Sequence, residues 1–144
     1  MTRQLPPFDH MWGSYPTYAK ALSMGAGLKQ WSRLKNTCGV RVSYCLNYCG
    51  HPIPAHAFGL RTWKGVDNKY YLPWMRDVEV YLARAYAPAE RVGSQHDVSG
   101  RRGVIAFEGG FASVTGHVDL WNGSQAANNA YFGYGSTMFF WEAD

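Results

Sequence analysis

The pattern of apolar residues changes period partway along the chain. Up to about residue 86 they recur every three or four positions, and beyond residue 102 they alternate or run in short blocks. Helices come first and strands afterwards. Phe8, Met11, Trp12, Tyr15 and Tyr18 are spaced as one helix face, broken at Gly13 and Pro16, which predicts a short helix and turn with Asp9 as its N-cap. Ala19-Lys20-Ala21-Leu22 is weakly helical and loosens at Gly25-Ala26-Gly27. A stronger helix starts at Cys38. It is capped by Asn36 or Thr37, carries Cys38, Val42, Cys45 and Cys49 on one face, and stops at Gly50 before His51-Pro52-Ile53-Pro54, which cannot continue it.

Trp63 to Tyr71 reads as an extended hairpin turning at Asp67-Asn68. A second long helix is predicted over about Pro73 to Tyr86, with Met75, Val78, Leu82 and Tyr86 inward and Pro88 closing it. Arg91 to Arg102 is polar and glycine-bearing, and is expected to be a loop. Three strands are then predicted, at Gly103–Phe107, His117–Trp121 and Thr137–Trp141, parted by turns at Glu108-Gly109-Gly110 and Asn122-Gly123. The order defines an α+β domain, with the cysteine helix packed on an antiparallel sheet. At 144 residues, one domain over 1–144 accounts for the whole chain.

Composition narrows the range of functions. Aromatic residues make up 16% and charged residues only 17%, so the surface is rich in Tyr, Ser, Asn and Gly and suits peptide or carbohydrate contact. The formal charge of +4 favours an anionic partner, but Arg101-Arg102 is the only tight basic pair, and nucleic-acid readers cluster Lys and Arg on one face. No nucleic acid is therefore expected as a partner. Residues 1–7 lack the apolar core of a signal peptide, and no apolar run has the length of a membrane span, so synthesis in the cytoplasm without membrane insertion is expected. Three cysteines within one helix make neither a disulfide framework nor a zinc site. Cys45 and Cys49 read as small core residues.

Cys38 is different. A thiol at a helix N-terminus faces unpaired backbone N–H groups and the positive end of the helix dipole, which favours the nucleophilic thiolate. Gly39 leaves the approach open, and the Cys38 N–H is placed to receive an oxyanion. On the strand at 117–121, His117, Asp119 and Trp121 share one face and Val118 and Leu120 the other. His117 is thus the candidate base, better held than His10, His51, His56 or His96. Two residues compete to orient its imidazole. Asp119 shares its face but lies about 6.5 to 7 Å along the strand. Asn128 follows the Asn122-Gly123 bend, where a cross-strand partner belongs.

Asn36-Thr37-Cys38-x-x-Arg41-x-Ser43, Gly116-His117-x-Asp119-Leu120-Trp121-Asn122-Gly123, Trp12-x-x-Tyr15-Pro16 and Phe139-Phe140-Trp141 together resemble the type VI secretion amidase effectors, family 4, over nearly the full length. The resemblance implies a papain-like NlpC/P60-type fold. It also implies an antibacterial DL-endopeptidase that cuts peptidoglycan stem peptides between D-glutamate and meso-diaminopimelate, with Cys38 as nucleophile, His117 as base and no metal or organic cofactor. Family members often carry an aspartate in a cysteine-bracketed loop after the histidine strand. Asn128 matches that aspartate, while Ala126 and Ala130 stand where the cysteines would be, so the loop disulfide is absent and Asn128 and Asp119 both remain candidates. The implied partners are the stem peptides, held in a groove lined by Trp12, Tyr15 and Trp121, the type VI secretion apparatus that carries the protein to a target periplasm, and an immunity protein that blocks the cleft. A cysteine transacylase of the same fold, or a non-catalytic wall-binding module, are the competing readings.

Overall fold

The computed structural model describes residues 3–109 and 116–144. Four helices come in chain order, α1 (Phe8–Ser14), α2 (Tyr18–Ser23), α3 (Cys38–Tyr48) and α4 (Met75–Ala85), with a two-stranded hairpin, β1 (Trp63–Lys64) and β2 (Tyr70–Tyr71), between α3 and α4. β3 (Glu90–Val92), β4 (Gly103–Glu108), β5 (Gly116–Trp121) and β6 (Thr137–Glu142) form an antiparallel sheet in the order β3-β6-β4-β5. The α+β architecture read from the sequence is the one observed. Gly110 of the predicted 108–110 turn lies outside the described residues.

Helix α3 is the hub, touching α1, α2, α4, β2 and β5. Its inward face, Cys38, Val42, Cys45 and Leu46, meets Val78 and Leu82 of α4 and the sheet residues Val104, Ala106, Val118, Leu120 and Trp141. Cys45 donates its thiol to the Met11 carbonyl at 3.4 Å, and Cys49 lies 3.6 Å from the Ser14 hydroxyl. All three cysteines are free. Two buried polar side chains fix the helix along its length. Ser43 accepts the Leu72 N–H at 3.0 Å, while Asn47 donates to the Tyr70 carbonyl at 2.8 Å and accepts from the Ile53 N–H at 2.8 Å. Gly39 is required here. A Cβ at that position would stand 2.6 Å from the Leu72 carbonyl oxygen, so the glycine lets the first turn of α3 press on the Leu72-Pro73 backbone.

The opposite sheet face is also buried. Ile105, Phe107, Trp121, Met138 and Phe140 form a second cluster with Val92 and Val98, covered by Tyr131 and Phe132 of the segment after β5. This cluster accounts for the strand the pattern missed; the pattern also missed short 3-10 turns at Lys29–Arg33, Ala57–Gly59 and Gln95–Val98. Arg91 and Val92 open the stretch expected to be a loop, yet residues 90–92 pair with β6 through Glu90↔Phe140 and Val92↔Met138. Only Val92 of the three is buried, so a short edge strand leaves almost no alternation to read. Arg101 then ties Glu90 to Glu142 at 2.6 and 2.8 Å.

Candidate active site

The site is assembled where the N-terminus of α3 meets the start of β5. Register places His117 opposite Phe107 and Asp119 opposite Ile105, so both polar side chains project into the second cluster's face. His117 is 5% exposed and Asp119 is fully buried. The His117 Nε2 is 2.7 Å from Asp119 Oδ2, and the Cys38 sulfur lies against the same imidazole, whose Nδ1 is the remaining nitrogen.

Of the two candidates for orienting the imidazole, the structure places the Asp119 carboxylate on His117. Two residues apart on a strand, His117 and Asp119 were judged too distant for easy contact. The backbone spacing is as expected, but the ring and the carboxylate lean toward each other and close the gap. Asp119 is fixed by backbone N–H groups, Leu120 at 2.7 Å on Oδ1, Asn129 at 2.8 Å on Oδ2, and Asn128 at 3.2 and 3.1 Å on Oδ1 and Oδ2. Asn128 therefore acts through its main chain on Asp119, not through its amide on His117. The 122–130 loop is held by its own polar groups. Asn122 Oδ1 accepts the N–H groups of Ser124 and Gln125 at 2.9 and 2.7 Å, Ala126 bridges to Trp121, and the Ala127 N–H donates to the Leu120 carbonyl at 3.0 Å.

Burial lowers the imidazole pKa, but the hydrogen bond that the ring donates to Asp119 and the adjacent Cys38 sulfur outweigh it and raise the value from 6.5 to about 9. An imidazolium is thus favoured at neutral pH, the partner a thiolate requires. Its contribution to stability is fully present below pH 6.5 and is lost as the pH rises through 9. We expect kcat/KM to fall on the alkaline side with a midpoint near pH 9, as His117 loses its proton. A pH–rate profile checks this. By contrast, burial and the neighbouring Cys49 push the Cys45 thiol upward, which leaves it inert.

Asn36 is a working part of the site. Its Oδ1 accepts the Cys38 N–H at 3.1 Å and its Nδ2 donates to the Gly116 carbonyl at 3.2 Å, which ties the helix start to the histidine strand. Asn36, not Thr37, supplies the side-chain cap, since Thr37 makes no capping bond. The Cys38 N–H, expected to be free for an oxyanion, is occupied at rest.

Cys38 lies between two clefts. The smaller, about 230 Å³, is lined by His117, Arg41, Asn128 and Tyr131, and the larger, about 620 Å³, by Trp63, Trp74, Arg33, Arg76, Glu79 and Glu108. The expected groove aromatics line neither. Trp121 is 1% exposed in the second cluster, with its indole N–H donated to the Val98 carbonyl at 2.9 Å. Trp12 stacks on Phe8, and Tyr15 lies under Arg41 with its hydroxyl buried and unbonded. These rings are large enough that the core claims them first. Trp63 and Trp74, edge to face at 5.5 Å, are the aromatics of the cleft. The sequence did carry a sign of Glu79, a carboxyl on the inward helical spacing of Met75, Val78 and Leu82. Among the described residues, no group of three or more His, Cys, Asp or Glu side chains is placed to hold a metal ion.

A helix opening on Cys38 and packed on an antiparallel sheet that presents histidine and aspartate has the papain-like, NlpC/P60 architecture. The model of the family described as type VI secretion system amidase effector protein 4 matches residues 34–141, and the chain belongs to that family. It is accordingly an amidase effector acting on peptidoglycan, of the kind delivered into target bacteria. The chain is similar to the type VI effector Tae4 from Enterobacter cloacae at 29% identity and a TM-score of 0.82, covering 100% of both chains. It is similar at 28% identity and TM-score 0.79 to the same effector in the Tae4–Tai4 effector–immunity complex, covering 96% of this chain and 99% of that one. The effector–immunity system Tae4/Tai4 from Salmonella typhimurium gives 26% identity and a TM-score of 0.77, with the same coverage. A search of curated proteins finds no match.

Proposed function

We propose that this protein hydrolyses the amide between γ-D-glutamate and meso-diaminopimelate in peptidoglycan stem peptides through a thioester on Cys38. The contact of His117 with both Cys38 and Asp119 carries this reading. The thiolate attacks the γ-glutamyl carbonyl, and the oxyanion displaces the Asn36 amide oxygen from the Cys38 N–H. The imidazolium gives its proton to the departing diaminopimelate amine, and the amide C–N bond breaks. Neutral His117 then takes a proton from water as the water attacks the thioester, releasing the glutamyl acid and restoring the thiolate. Asp119 fixes the ring and stabilises its charge throughout. No cofactor is needed for these steps.

Delivery by type VI secretion into the periplasm of a rival cell brings the enzyme to this substrate. A small immunity protein that covers the Cys38 cleft protects the producer, as the effector–immunity complexes of the relatives suggest.

Incubation with diaminopimelate-type muropeptides, followed by mass spectrometry, tests the bond. The expected product is a diaminopimelate-containing fragment with a new free amine, together with the L-Ala-γ-D-Glu remnant on the glycan. Transfer of that remnant to an added amine in place of water identifies a transacylase. Unchanged muropeptides from folded protein leave only a wall-binding role.

A further inference from the structure

The larger cleft holds an arrangement that the hydrolytic steps do not use. Glu79 projects from α4 and is 9% exposed, and its carboxyl is within hydrogen-bond reach of Glu108 at the end of β4. Among the described residues, no N–H group donates to Glu79. Burial, together with the Glu108 carboxyl beside it, holds the Glu79 carboxyl well above the ordinary carboxylate range, with nearby Arg76 opposing weakly. Two carboxyls side by side on the lining of one cleft, Glu79 buried and Glu108 half-buried, with no salt bridge to either among the described residues, form a seat for one positive charge. Structural carboxylates instead look like Asp119, with every oxygen bonded. On the rim of the same cleft, Arg33 and Arg76 are exposed and make no salt bridge among the described residues. The cleft therefore offers an anionic pocket floor and a cationic rim, on the same side of Cys38.

We propose that Glu79 and Glu108 are a specificity subsite for an ammonium group, and that Arg33 and Arg76 take the carboxylate beside it, so that the cleft selects a zwitterionic amino-acid head. This rests on the amidase reading, in which the far end of diaminopimelate carries an amine and a carboxylate on one carbon. A lysine side chain has the ammonium without the carboxylate, and an amidated or acetylated diaminopimelate loses one charge or the other. Entry of the ammonium takes the place of the proton that burial favours on Glu79, so the buried charge is paired instead of being neutralised.

The test is binding, measured by calorimetry on Cys38→Ala protein so that nothing is cleaved. The probes are the tripeptide L-Ala-γ-D-Glu-meso-diaminopimelate, the same peptide with its distal amine acetylated, and the analogue with L-lysine in the third position. The free-amine diaminopimelate peptide should bind roughly tenfold or more tighter than the acetylated one, the scale of one charge-assisted hydrogen bond. Adding Glu79→Gln should bring the two within about twofold of each other while leaving the acetylated peptide's affinity unchanged. Glu108→Gln serves as the second variant, and thermal melting checks the fold of each. Arg76→Ala should weaken the diaminopimelate peptide but not the lysine peptide. Equal binding of free and acetylated peptides, absence of binding by the free-amine peptide, or discrimination that survives both glutamine variants overturns the subsite. Cleavage by the protein with Cys38 intact is scored separately, so the amidase reading can stand when the subsite falls.

Discussion

Cys38→Ala is expected to lower kcat/KM on a diaminopimelate stem peptide by roughly 10⁴-fold or more, the scale seen when a covalent nucleophile is removed. The reaction has no route around the sulfur, because the other two thiols are placed for packing. Cys45 is fully buried and bonded to the Met11 carbonyl, and Cys49 faces Ser14 on the far end of the same helix. Cys45→Ala is the matched control and is expected to keep near-normal turnover in the protein that remains folded. Cys38→Ala removes one small atom at the mouth of two clefts and leaves the Asn36 tie from the Cys38 N–H to Gly116 intact. Its melting temperature should therefore stay within a few degrees of the parent, which separates lost chemistry from lost structure. The double variant Cys38→Ala/His117→Ala is expected to be no slower than Cys38→Ala alone, since the two residues act as one unit. Initial rates by liquid chromatography check all of these. Retained turnover in Cys38→Ala moves the chemistry to another group.

Much of this site was legible because its residues are short-range events on strongly patterned elements. The helix from Cys38 and the strand from His117 both announce themselves by period, and the alternation of His117, Asp119 and Trp121 against Val118 and Leu120 matches the two buried faces of β5. Side-chain reach was not legible. The distance along a strand gives the separation of Cα atoms, while the His117–Asp119 contact is set by two rotamers and by loop amides nine and ten residues on from Asp119. The groove aromatics failed for a related reason. A tryptophan is both the best core filler and the best sugar platform, and only tertiary packing separated Trp121, sealed under Phe132, from Trp74, 42% exposed at the cleft. Glu79 was hidden by its helix, because a period argument assigns it a buried position without saying what it meets there.

Our proposal that Asp119 orients His117 gives the second largest expected effect. Asp119→Asn keeps the shape but leaves one acceptor oxygen where Leu120 and Asn129 bond separate oxygens, and it loses the charge that balances the imidazolium and lets His117 settle in the wrong tautomer. A loss of roughly 10²- to 10⁴-fold in kcat/KM follows, with the alkaline midpoint shifted below its value near 9 as the largest support for the charged ring is removed. Asn128→Ala preserves the main-chain N–H that holds Asp119 and discards only an amide at the edge of the smaller cleft. Its activity should stay within about fivefold of the parent.

The decisive measurement is kcat/KM for Asp119→Asn and Asn128→Ala on one diaminopimelate stem peptide, each protein first shown by melting to be folded at the assay temperature. A Cys38–His117–Asp119 site requires Asp119→Asn to be the slower by at least about 30-fold. Equal rates, or a greater loss in Asn128→Ala, contradict it and return the imidazole's orienting role to the loop.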